Sequence, residues 1–78
     1  MIAELDNVVL TVNLPEHGLA AGDVGAAVHV YNGGANFLVE FTTFDGSTVA
    51  VTKVSDGQIR PLSRNEIHHF RKFEPTVR

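Results

Sequence analysis

Four histidines stand in a chain of 78 residues, and they are the first side chains to weigh for chemistry. Glu66, His68 and His69 lie close together near the C-terminus, with His17 and His29 far away in sequence. Neighbouring histidines are a poor chelate. On a strand they point to opposite faces, and on a helix they diverge by about 100°, so one ion would not see both rings. His17 is better placed, in the loop-like PEHGL stretch where binding groups commonly sit on a rigid scaffold. Glu16 and Asp23 are near it, but a general base needs a partner in fixed geometry, and no serine or cysteine nucleophile stands close by. The expectation is therefore no catalytic residue, no metal and no cofactor.

The Tyr31–Asn36 run, YNGGAN, lacks the lysine and the strand-to-helix context of a phosphate loop and reads as a hairpin turn. Gly22-Asp23-Val24-Gly25 resembles the strand opening of KOW-type barrels, which makes a nucleic-acid-binding barrel the alternative function. Charge argues against it. Residues 1 to 59 hold Lys53 against seven carboxylates, net −6, whereas residues 60 to 78 hold five cations against Glu66 and Glu74, net +3. An acidic body repels a polyanion, although Arg71 and Lys72 between Phe70 and Phe73 could contact RNA by charge and stacking.

Size and composition set the frame for these residues. A chain this short forms one domain with one modest core, too small for a spacious cleft. Its 44% apolar content is enough to fold and too high for a disordered chain. There is no cysteine, hence no disulfide framework and no thiolate zinc site. Glu4 replaces the basic residues of a signal peptide, and no apolar run approaches the roughly 18 residues of a membrane span. The expected location is the cytoplasm, with no membrane partner.

Strands follow one another quickly along the chain. Asn7–Leu14, rich in β-branched residues, reads as a first strand that Pro15 ends. Pro15–Gly22 is then a long irregular loop with Leu19 as its apolar anchor. Residues 24–31 form the second strand, with Val24, Ala26, Val28 and Val30 on one face and Gly25 marking a bulge or a close backbone approach. Asn32-Gly33-Gly34 turns the chain into a third strand, 36–43, whose Phe37, Val39 and Phe41 alternate with Leu38, Glu40 and Thr42. Asp45-Gly46 leads to a fourth strand, 47–54, where Val49, Val51 and Lys53 oppose Thr48, Ala50 and Thr52.

After Asp56-Gly57 the QIRPL stretch, 58–62, suits a 3₁₀ turn or an edge segment, with Ile59 and Leu62 plugging one end of the barrel. Residues 63–73 admit two readings. Ser63 and Glu66 fit a helical capping box, with Ile67, Phe70 and Phe73 on one side of a short helix. A closing strand over 67–73, covering the edge of the first strand, is the favoured one.

Together these parts predict an all-β fold, a small SH3-like five-stranded barrel over residues 1–73 with a flexible tail at 74–78. The run ELDNVVLTVNLPEHGLAAGDVGAAVHVY, then FLVEF, FDGSTVAVTKV and IRPL, resembles a bacterial family of small stand-alone domains of unknown function. The likeness spans Glu4 to Leu62, and its most specific part is LPEHGLAAGDVG, Leu14 to Gly25. The resemblance implies the fold and a cytoplasmic companion of other small proteins, and supplies no catalytic residue. The expected function is a non-enzymatic protein-interaction module, antitoxin-like or an accessory partner of a neighbouring gene product. Homo-oligomers are a further expected form of association. Glu16, His17, Leu19, Phe44, Arg71 and Phe73 are the candidate contacts.

Overall fold

A computed structural model describes residues 2–74. The fold is all-β, but in place of the expected closed barrel five antiparallel strands form one unclosed sheet whose edges β4 and β5 do not pair: β1 (Asn7–Leu10), β2 (Val24–Tyr31), β3 (Asn36–Thr42), β4 (Thr48–Ser55) and β5 (Ile59–Pro61), in the spatial order β4-β3-β2-β1-β5. Single 3₁₀ turns occupy Pro15–His17, Asn32–Gly34 and Asp56–Gln58. Among the described residues no helix is long and apolar enough to cross a membrane.

The third strand follows its sequence pattern most directly. Phe37, Val39 and Phe41 are all buried, and with Val8, Leu10 and Val54 they form the centre of the core. Asn32 takes the left-handed conformation (φ 51°) that the hairpin before this strand requires. At Gly25 the expected close approach is present. A Cβ there would lie 2.7 Å from Val39 Cγ1, 2.8 Å from the Glu40 carbonyl oxygen and 2.9 Å from Phe41 Cδ1.

Two irregularities change which side chains face inward. The β2–β3 register shifts between Ala27 and His29, so Val28 is an extra residue. Gly25 and Ala27 face the core before it and Val30 packs against the core after it, so the four aliphatic residues do not share a face. Likewise the β3–β4 register shifts between Phe41 and Thr42, where Thr42 meets Thr48 and Val49 is left unpaired. Val49 and Ala50 therefore both reach the core, while Val51 and Lys53 are exposed.

The ends of the chain differ most from expectation. The first strand stops at Leu10 instead of Leu14, because Thr11 bends away, donating its N–H to the Gln58 carbonyl, and Leu14 pairs with Leu19 inside the loop. The third 3₁₀ turn lies at 56–58, ahead of the expected 58–62, and Ile59–Pro61 becomes the fifth strand, paired with β1. Proline is tolerated there because bonds to β1 alternate along the segment. Thr11 donates to Gln58 and Leu62 donates to Asn7, so the Pro61 nitrogen falls on the open side of the edge.

Residues 67–73 form neither the closing strand nor a helix. The free edge of β1 is already taken by β5, which removes the partner that a strand at 67–73 needed. Half of the capping box at 63–66 does form. Glu66 Oε1 accepts the Ser63 N–H at 2.7 Å and the Glu66 N–H reaches the Ser63 carbonyl at 3.2 Å, making a turn that no helix follows. Apart from that turn, residues 63–74 form a strap without regular secondary structure that reaches the β1–β2 loop at Gly18 and Asp23. Apart from Glu74, the tail expected over 74–78 lies outside the described residues.

Candidate functional site

The loop between β1 and β2 is tied down from within. The Asn13 side-chain carbonyl accepts the Ala21 N–H at 2.9 Å, the Asp23 carboxylate accepts the Ala20 N–H at 2.9 Å, and the Asp23 N–H donates to the Ala20 carbonyl at 3.0 Å. Leu19 is buried beneath it. The Asp23 carboxylate is thus positioned by its own loop before any distant group reaches it.

Arg71 reaches it from the strap. Its Nε donates to Asp23 Oδ1 at 2.8 Å, and its Nη2 donates to Asp23 Oδ2 at 2.6 Å and to the Gly18 carbonyl at 3.0 Å. This is the fork geometry in which a guanidinium binds a carboxylate most strongly. Burial pushes the Asp23 carboxyl up, but the bonds from Arg71 and the Ala20 N–H, with the Arg71 charge, hold it below its ordinary 3.8. Two residues further on, the Phe73 ring lies over Gly18, where a Cβ would come within 3.0 Å of its Cε1. A second pin sits at the base of the strap. Arg60 holds Glu66 bidentately at 2.9 and 2.7 Å, and that contact, with the Ser63 N–H, brings the Glu66 carboxyl down to about 2.

Between strap and sheet lies an open groove of about 1020 Å³, lined by Leu19, Val24, Phe41, Val49, Leu62 and the strap from His68 to Phe73. Phe44, at the tip of the β3–β4 hairpin, stands on its rim at 95% exposure. Its ring meets that of Phe70, 79% exposed, edge to face at 6.0 Å, and the His68 ring stands 6.3 Å from that of Phe70.

Of the six candidate contacts, the fold brings Leu19, Phe44, Arg71 and Phe73 to this groove. Leu19 is its buried floor and not a surface contact. Glu16 is exposed and His17 half-buried in the adjoining 3₁₀ turn, and both Asp23 oxygens are engaged by Arg71 and Ala20. Asp23 and Phe70 complete the site. In the sequence Asp23 stands as a neighbour of His17 and in the Gly22–Gly25 strand opening, and the cation 48 residues away that it binds carries no local signal. His29 lies elsewhere, 3.3 Å from Glu4 and edge-on to Tyr31. Among the described residues no group of three or more His, Asp and Glu side chains is arranged to hold a metal ion.

Neither the curated proteins nor the solved structures contain a match to this chain. A family model does match, over residues 4–61, which takes in all five strands, Gly18 and Asp23 and stops before the strap; the chain therefore belongs to the family described as Domain of unknown function (DUF4926).

Proposed function

We propose that this protein is a non-enzymatic protein-interaction module of SH3-like build, acting in the bacterial cytoplasm as an antitoxin-like or accessory partner of a neighbouring gene product. The observation that carries the reading is the Phe44–Phe70 pair. Two large aromatic rings left 95% and 79% exposed, in contact with each other at the rim of an apolar groove, are a poor arrangement for a free monomer in water. Contiguous exposed apolar surface of this kind marks a place where another surface docks, and aromatic side chains dominate the energetics of such contacts. The order of parts supports the SH3-like reading: a long loop after β1, two hairpins, a 3₁₀ turn and a short last strand returning to β1.

The test is co-expression with the product of the adjacent gene and capture on the untagged partner. Wild type is expected to co-purify stoichiometrically, and the double variant F44S/F70S to lose capture by at least about tenfold while keeping its melting temperature, since neither ring is in the core. A wild-type chain that captures nothing and sediments strictly as a monomer overturns the proposal. The ladder His68–Phe70–Phe44 beside Lys72 favours a second reading, stacking of single-stranded nucleic acid. A mobility shift with mixed nucleic acid that vanishes with salt would favour that reading, against the seven carboxylates of the body.

A further inference from the structure

We propose that the 14–25 loop and the groove floor form a reader for extended basic protein segments that carry an arginine two residues before an aromatic ring. On this assignment the strap is the copy of that ligand carried in cis. The inference rests on the protein-binding reading and names the chemistry of the segment that the groove accepts.

Three features of the site point to recognition. The arginine pocket is positioned by its own loop: Asp23 is held by the Ala20 N–H, and the Gly18 carbonyl supplies a further acceptor on the same side. A planar fork satisfies all three acceptor contacts, whereas a lysine offers a point charge with no such match. The aromatic subsite is equally shaped. Gly18 sits at φ +72°, and only a residue without a Cβ leaves the Phe73 ring its present seat. Leu19 and Phe41 lie beneath as apolar floor.

The strap is bound as a ligand is bound. Beyond Leu62, the described residues of the strap make no backbone hydrogen bond to the sheet; the one backbone bond found there is the local Glu66–Ser63 turn. Attachment past that turn is by side chains, chiefly Arg71 and Phe73, so the same contacts can be supplied by another chain. Charge agrees with this. Residues 4–61 carry two cations against seven carboxylates, which favours an incoming cationic segment. Both halves of the reader, Gly18 and Asp23, belong to the family-matched part, and the occupant does not.

The assay uses the full chain and a fluorescent peptide of residues 67–73, IHHFRKF, with blocked ends, which carries Arg71 and Lys72 and no carboxylate. In wild type the tethered strap competes at an effective concentration on the order of millimolar, so the peptide binds weakly. The variant R71A/F73A empties the site and is expected to bind the peptide about tenfold tighter or more. Adding Asp23→Asn, which keeps an acceptor for the Ala20 N–H but removes the charge, should return binding to the wild-type level, and a peptide with its arginine replaced by alanine should fail on every chain. Equal affinity for all three chains, undiminished binding of the arginine-free peptide, or displacement of the peptide by oligothymidylate overturns the proposal, the last in favour of a polyanion site.

Dispersed amide spectra verify that each variant is folded. If R71A/F73A is not, Arg71→Lys alone, keeping charge and ring, takes its place and should still bind the peptide more tightly than wild type. A chain that captures its partner and ignores the peptide refutes this inference alone. One that binds the peptide and captures no partner refutes the assignment of a neighbouring gene product and leaves the reader standing.

Discussion

Residues 7–61 and residues 63–74 are joined in one chain but held by different forces. The first are tied by four antiparallel pairings around a core in which Val8, Leu10, Phe37 and Val39 are almost wholly excluded from water. The second rest on two arginine–carboxylate pairs and a ring on a glycine, with Ile67 and Phe70 at 82% and 79% exposure. Backbone ladders and burial act together and fail together, whereas ion pairs whose arginines stay nearly half exposed contribute little to global stability. The strap can therefore leave without unfolding the sheet. That separation lets one small domain keep a fixed scaffold and an exchangeable cover.

The comparison can be broken most forcefully from the core side. Phe37→Ala removes a ring that is 1% exposed and should cost about 3–5 kcal/mol, a large share of the stability of so small a domain. Urea unfolding followed by circular dichroism measures it. Gly25→Ala forces a methyl into Val39, Phe41 and the Glu40 carbonyl, and a loss of about 1–3 kcal/mol is expected in the same assay.

From the strap side the global effects shrink and the local ones grow. Arg71→Ala should shift the urea midpoint by less than about 1 kcal/mol of stability. Limited proteolysis should nevertheless cut residues 63–74 well before the sheet. Equal resistance in wild type and variant would show that the strap is not held by this pair.

Acid gives the gentlest test. Asp23 has a lowered pKa in the folded chain, so its contribution is fully present above its ordinary 3.8 and is lost as pH falls through the folded value. Glu66, lowered to about 2, likewise loses its contribution as pH falls through that value. The Gly18 and Phe73 resonances should thus move below about pH 4, ahead of those of the core.

Much of the scaffold was legible because its signals are local. Asn32-Gly33-Gly34, Asp45-Gly46 and Asp56-Gly57 each ask for a turn through their own backbone preferences, and Phe37-x-Val39-x-Phe41 defines a face by alternation alone. Gly25 was readable as a close approach for the same reason. The site was legible only in pieces: Phe44, Arg71 and Phe73 were singled out, but Asp23 was considered beside its neighbour His17.

What the residues determined by themselves is the turn map, the buried face of β3 and the division of the chain into an acidic body and a basic end. Tertiary structure decided the rest. The inward faces of β2 and β4 depend on bulges at Val28 and Val49, and a bulge is a relation between two strands. The covering of β1 by Ile59–Pro61 was a competition for one edge, won by the segment that the 56–58 turn delivers to it. Once that edge was filled, residues 67–73 could not pair with β1, and the ion pair between Arg71 and Asp23, 48 residues apart, fixed where they lie.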